Sequence, residues 1–209
     1  VQDNQCLGYG LLLIERQLGL PILGTIHHPI TVDRRLEIEA ASGWYKKLTL
    51  RRWYAFVDMQ TQVARRLQRI ITVSENSFKD IVTDHKVDPE RMAVVPVGVD
   101  LDLFKPLPEV KVVPGRLVTT ASADVAMKGL KFLLEAVAKL RTERDDVHLV
   151  VIGKRKPGGA SDETIKRLGL EDHVEFVTGV AEQRIIELYS EAEMAVVPSL
   201  YEGFSLPAI

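Results

Sequence analysis

The chain has 209 residues, room for one or two domains, and 46% of them are hydrophobic, ordinary for a globular chain with a sizeable core. A net charge of −2 gives no reason to expect nucleic acid as a partner. The single cysteine, Cys6, excludes an internal disulfide and points to a reducing, cytoplasmic setting, and no apolar run approaches the roughly 20 residues of a membrane span.

Short β-rich runs alternate with amphipathic helices, a rhythm that predicts an α/β fold with parallel sheets covered by helices on both faces. Leu20–Ile26 reads as a strand with Pro21 near its start. Residues 31–70 hold nine Lys/Arg against four Asp/Glu, interleaved with Trp44, Tyr45, Trp53, Tyr54 and Phe56. Arg69–Val73 is a second strand, and Ser74 is placed to cap a helix from Glu75 to Thr83. Met92–Val97 is a third strand, set at a sheet edge by Pro96.

From Gly98 to Pro108 neither helix nor strand period is present and two prolines intervene, which predicts a linker between a domain over 1–105 and one over 106–209. The rhythm then restarts with the strand Leu117–Ala121. A helix from Gly129 to Arg144 follows, with Leu130, Leu133, Leu134, Val137 and Leu140 at helical spacing. His148–Ile152 is a strand closed by Gly153, and Ser161 is expected to cap the next helix, with Asp162 and Glu163 in its first turn. A strand over Val174–Val177, a helix over Ala181–Glu193 and a buried strand over Met194–Val197 complete the pattern. Val1 is not an initiator methionine and no signal-peptide pattern is present. The chain is read as beginning just after a strand and ending at a helix start, hence as a fragment or as the ordered part of something larger.

The last dozen residues, Pro198-Ser199-Leu200-Tyr201-Glu202-Gly203-Phe204-Ser205-Leu206-Pro207-Ala208-Ile209, are the most informative. They form a Gly-containing turn after a strand and before a proline that suits a first helical turn. Such a junction gathers free backbone N–H groups and a helix dipole, which favours an anion, and it lies where ligands of parallel sheets bind. Glu202 within the turn can accept hydrogen bonds from sugar hydroxyls. Lys128-Gly129, heading the long helix, is either a phosphate-pairing cation or a solvated lysine. Thr25-Ile26-His27-His28 ends a strand, and imidazole there can donate, accept or carry a proton. Two adjacent histidines without a third ligand make a poor metal chelate, so no metal site is expected.

The terminal string resembles the Glu-Gly-Phe-Gly-Leu-Pro-x-x-Glu signature of the GT-B glycosyltransferases of family four (glycosyl transferases group 1), with Ser205 at the third small position and Ile209 one residue short of the second Glu. The Lys128-Gly129 pair and the Thr25-x-His27 turn match the same family, as do Gly98-Val99-Asp100 and Phe104-x-Pro106. The resemblance implies two Rossmann-like domains, here incomplete at both ends. The activity it implies is retaining transfer of a sugar from a nucleotide-sugar donor to a glycan, lipid or small-molecule acceptor. Lys128 would hold the diphosphate, and Gly153, Gly203, Phe204, Ser205 and Leu206 would line the donor site. Glu202 and His27 would be the catalytic pair at the sugar, with His28, Ser122 and Arg34 as further candidates.

The resemblance implies no metal or cofactor, since the nucleotide-sugar is a substrate. The family's Arg after the first strand of the second domain is missing: Gly115-Arg116 precedes that strand, and Ser122 or backbone N–H groups would have to substitute. This departure slightly favours a non-catalytic GT-B module that binds nucleotide or a partner. A sugar epimerase or phosphorylase on the same fold is a third reading. As a fragment the chain is expected to be inactive. Asp100-x-Asp102 has the metal–diphosphate spacing of the other glycosyltransferase fold, but its place in the linker assigns it to a turn. Lys154, Arg155 and Lys156 either contact phosphate or form a solvated run. The basic, aromatic stretch over 31–70 either packs on a sheet with snorkelling ends or docks on an acidic acceptor or an anionic membrane, making the protein peripheral at the inner membrane face.

Overall fold

The structure, a computed structural model, describes residues 1–121 and 125–209. It divides into two compact units, Val1–Gly98 with Tyr201–Phe204, and Val99–Leu200 with Ser205–Ile209. Each contains one four-stranded, all-parallel sheet.

In the first unit β1 (Gln2–Asn4), α1 (Gly10–Leu18) and β2 (Leu23–Ile26) lead to three helices, α2 (Ile30–Ala40), α3 (Trp44–Trp53) and α4 (Phe56–Ala64). Then come β3 (Arg69–Thr72), α5 (Glu75–His85) and β4 (Met92–Val94), in the sheet order β1-β2-β3-β4. The register pairs Asn4 with Thr25, Ile26 with Thr72, and Thr72 with Val94, so the carboxyl ends of all four strands share one sheet edge. The loops after β1 and β2 and the start of α5 are therefore neighbours. Leu7, Ile22, Ile26, Val63, Leu67, Ile70 and Ile81 form the buried core beneath them. Each such side chain removed from water contributes roughly 1.5–3 kcal/mol.

β4 lies at the sheet edge, as expected, but it ends at Val94 rather than Val97, so Pro96 stands beyond the strand and is not what sets it at the edge. Ser74 caps α5 by accepting a hydrogen bond from the Ser77 N–H at 3.0 Å. β1, α1 and the three helices α2–α4 were not legible as separate elements in the sequence. The three-residue β1 is too short for its period to register against its surroundings.

The second unit runs β5 (Val113–Thr120), α6 (Leu130–Leu140), β6 (His148–Ile152), α7 (Ala160–Leu168), β7 (Val174–Val177), α8 (Glu182–Glu191) and β8 (Ala192–Ala195), in the order β7-β6-β5-β8. Alternate residues of β6 serve opposite faces. Leu149 and Val151 join Leu130, Leu134, Val137 and Ile165, whereas Val150 and Ile152 join Val118 and Leu188.

Three expectations are corrected here. The last strand begins two residues early, at Ala192, and is not buried: it pairs only with β5, at the edge, and Met194 is 59% exposed. Its apolar run, Met194–Val197, had suggested a buried strand. Ser161 does not cap α7. The helix starts one residue before it with Gly159 as N-cap, while Asp162 and Glu163 do occupy its first turn. Gly115-Arg116 lies inside β5, which starts at Val113 with a register shift before Leu117, and Arg116 pairs with Glu191. In the linker, Asp100 Oδ1 accepts from the N–H groups of Asp102 (2.9 Å) and Leu103 (3.2 Å), the side-chain turn expected of it.

Candidate functional site

In the first unit the site begins where β2 ends. Backbone and ring of His27 are both held. Its N–H donates to Gln5 Oε1 (2.7 Å), its carbonyl accepts from Ser77 Oγ (2.8 Å), and its Nε2 meets Asn4 Oδ1 (2.7 Å). His28 takes different partners: its carbonyl accepts from Gln5 Nε2 (2.8 Å), and its ring Nε2 pairs with Asp33 Oδ2 (2.9 Å) at the start of α2.

The Tyr201–Phe204 segment of this unit lies on the same spot. Ser74 Oγ donates to the Gly203 carbonyl, and the His28 and Tyr201 rings are 6.1 Å apart. Gly203 has no room for a side chain, since a Cβ would lie 2.5 Å from the His27 carbonyl oxygen and 2.9 Å from His28 Cβ. Tyr201 donates its hydroxyl to Asp80 Oδ2 (2.7 Å). Burial, then the Asp80 carboxylate, pushes the phenol well above its usual range, so it stays a neutral donor. Glu202 and Phe204 are both partly buried. His27, His28, Glu202 and Gly203 are thus brought together, with Asn4, Gln5, Asp33, Ser77 and Tyr201 as supporting residues that sequence analysis missed. Arg34 is directed to Asp58 (Nη1 to Oδ1, 3.2 Å).

The second unit has its own cluster. Ala126–Lys128 forms a single 3-10 turn, and Gly129 then turns left-handed (φ 65°) to start α6. A Cβ on Gly129 would collide with the Pro198 carbonyl oxygen, and the Leu200 N–H donates to the Met127 carbonyl at 2.8 Å. The Lys128-Gly129 turn and Pro198–Leu200 are therefore knit together beyond the carboxyl ends of β5 and β8. Lys128 sits at the positive end of an 11-residue helix with no acidic residue in its first turn, a setting that favours an anion. Ser205 Oγ is buried without a hydrogen-bond partner among the described residues, and Leu206 opens a single 3-10 turn, Leu206–Ala208, where a helix start was expected.

Gly153 ends β6, its N–H bonded to the Val177 carbonyl (2.8 Å). Of the three cations after it, Arg155 is engaged with Asp162 and lies over the Phe176 ring, while Lys154 and Lys156 are exposed. Asp162, with a side chain only 4% exposed, also takes the Gly158 N–H and Lys166. These partners, the Gly158 N–H foremost, hold its carboxyl well below the ordinary range. Ser122 lies outside the described residues. Among the described residues no group of three His, Cys, Asp or Glu side chains is placed to hold a metal ion.

Two parallel-sheet α/β units with polar clusters beyond their strand ends define the architecture. The description "Glycosyltransferase Family 4" matches residues 1–103, and "Glycosyl transferases group 1" matches residues 109–209. The chain belongs to the family-four glycosyltransferases of GT-B fold. It is 49% identical over its whole length to MMP alpha-(1->4)-mannosyltransferase from Mycolicibacterium hassiacum, of which it covers 50%. Among solved structures it resembles sucrose-phosphate synthase from Thermosynechococcus elongatus, with a TM-score of 0.69 and 20% identity, covering 99% of this chain and 52% of that one. It also resembles Anabaena HepE in complex with UDP-glucose, with a TM-score of 0.64 and 18% identity over 90% of this chain and 49% of that one. The chain spans about half the length of the curated relatives it matches.

Proposed function

We propose that the protein is a retaining glycosyltransferase that moves a sugar from a nucleotide-sugar donor to a hydroxyl acceptor. The observation that carries this reading is the locked turn at Lys128-Gly129, a cation at a positive helix end, seated beyond the strand termini of the second unit. A departing nucleoside diphosphate gains charge in the transition state. Fixed cations and N–H dipoles stabilise that charge without reorganising, and no metal is needed for the purpose. Lys128 is assigned to the diphosphate, with Gly153, Ser205 and Leu206 on the donor. In the first unit, Glu202 and the Gly203-Phe204 backbone are assigned to sugar hydroxyls, and His27 to the transferred sugar. The name of the M. hassiacum relative and the UDP-glucose bound to HepE support sugar transfer from an activated nucleotide.

One sequence feature favours a second reading. No Lys or Arg stands between Ala121 and Met127, so one diphosphate contact of the family is absent, as in a non-catalytic binding module. The two readings separate when the intact protein is incubated with nucleotide-sugars and candidate acceptors. Release of nucleoside diphosphate matched by a new glycoside supports transfer, whereas binding without either product supports the module.

The membrane partner belongs to the same proposal. Helix α3 buries none of its residues and carries Lys46, Lys47, Arg51 and Arg52 with no acid. Trp44 (77%), Tyr45 (68%), Leu48 (55%) and Trp53 (73%) are exposed. Aromatic rings ringed by cations suit the interface of an anionic bilayer, which would make the protein peripheral. Among the described residues no helix is long and apolar enough to cross a membrane. Co-sedimentation of the intact protein with phosphatidylserine vesicles, lost on Trp44→Ser/Trp53→Ser and absent with phosphatidylcholine, is expected; equal recovery with both lipids would contradict it.

A further inference from the structure

The loop after β1 has a backbone that its residues do not favour. Gln5 and Leu7 both lie in the left-handed region, at φ 63° and 48°, although neither is glycine. What over-determines this conformation is a set of hydrogen bonds. The Gln5 N–H continues the ladder to the Thr25 carbonyl (2.8 Å), and buried Gln60, 4% exposed, donates Nε2 to the Gln5 carbonyl (3.0 Å). The Leu7 N–H donates to Asp3 Oδ2 (3.0 Å).

The turned Gln5 then presents its side-chain amide to the end of β2, where Oε1 accepts from His27 N and Nε2 donates to the His28 carbonyl. One amide thus spans both histidine backbones as an extra ladder rung. Next to it, Asn4 Oδ1 meets His27 Nε2 at 2.7 Å. A carbonyl oxygen can only accept, so this contact requires the proton on Nε2, and in the neutral ring that leaves the Nδ1 lone pair as the acceptor. The His27 carbonyl is fixed from the other side by Ser77 Oγ (2.8 Å).

We infer that Asn4 and Gln5 are positioning residues for His27, Gln5 setting its backbone and Asn4 selecting the Nε2–H tautomer, so that Nδ1 is held ready to accept a hydrogen bond from a substrate hydroxyl. The inference rests on the proposed role of His27 at the sugar. A left-handed turn at a non-glycine residue is one way that strain is retained where geometry matters. Neither Asn4 nor Gln5 touches a reacting atom in this assignment; each acts through the histidine.

Two measurements on the intact protein test it, and they fail separately. The first needs no ligand. Imidazole nitrogen-15 NMR of His27 should show the Nε2–H tautomer, turning to a mixture in Asn4→Ala and broadening in Gln5→Gly. Glycine accepts φ 63° without strain, so Gln5→Gly removes the amide while sparing the turn. An Nδ1–H ring in the unaltered protein, or no spectral change in either variant, overturns the inference whatever the activity.

The second is a double-variant cycle on nucleoside diphosphate release, with GDP-mannose and UDP-glucose as donors. Asn4→Ala and Gln5→Gly should each lower kcat/KM by roughly 10- to 100-fold, the scale of a misplaced catalytic group. In a His27→Ala background the same changes should cost about twofold or less, since the residue they serve is gone. Equal losses in both backgrounds overturn the positioning role. A His27→Ala enzyme with full activity would instead remove His27 from the reaction and leave the tautomer result standing.

Discussion

At the scale of single residues, the Glu-Gly turn is placed by what it cannot accommodate. Gly203 presses on the His27 carbonyl, on His28 Cβ and on Ser77 Oγ, all within 3.0 Å of where its Cβ would be. The His27 carbonyl follows directly on β2, whose register is fixed, and Ser77 stands in the first turn of α5, so these neighbours do not yield easily. Gly203→Ala is therefore expected to destabilise by about 1–3 kcal/mol, the usual cost of overpacking, and to lower activity because Glu202 moves with the turn. Urea unfolding of the variant beside the unaltered protein measures the first effect; an unchanged midpoint would mean that the turn is not packed as described. The sequence showed this glycine as part of a motif. It did not show why the position excludes a side chain, because His27 and Ser77 lie more than a hundred residues away in the chain.

At the scale of elements, α5 joins two tasks. Its N-cap, Ser74, holds the helix and also donates to Gly203, while its C-terminal end carries His85, 1% exposed, with Nδ1 2.7 Å from Thr61 Oγ1. Burial drives the His85 pKa down. The nearby Arg65 and Arg34 lower it further, and Asp84 opposes them. A folded-state value below the unfolded one means that the unfolded chain takes up the proton more readily. Stability should therefore be full above the ordinary histidine value of about 6.5 and fall as pH drops below it toward the folded value. Denaturation midpoints at pH 7.5 and 5.5 should show this acid loss in the unaltered protein and a smaller one in His85→Gln; identical losses would assign the effect elsewhere.

Elements with a full amphipathic stripe or a long apolar run were legible from the sequence: β6, α6 and α5 with its serine cap start where periodicity and capping placed them, although α6 stops at Leu140 rather than Arg144 and α5 runs on from Thr83 to His85. The misses have physical causes. β8 reads as apolar yet sits at an edge, because strand order is a property of the sheet and not of the strand. α7 starts at a glycine cap, which competes with serine on nearly equal terms. The strained turn at Gln5 carries no residue signature at all.

At the scale of the whole molecule, the alternating pattern and the proline-bounded linker were enough to foresee two parallel-sheet units. The pairing of Lys128-Gly129 with Pro198–Leu200 was half legible: both segments stood out, but the backbone contact that joins them depends on Gly129 turning left-handed under the Pro198 carbonyl. On this arrangement rests the claim that the second unit grips an activated sugar by its diphosphate. The measurement that tests it most directly is titration calorimetry of the intact protein with UDP-, GDP- and ADP-sugars, repeated on Lys128→Ala. Saturable binding of at least one donor, weakened about tenfold or more in the variant, a difference of about 1.4 kcal/mol, is the expected result. No heat with any donor or its free nucleoside diphosphate, or equal affinity in the variant, would contradict the account.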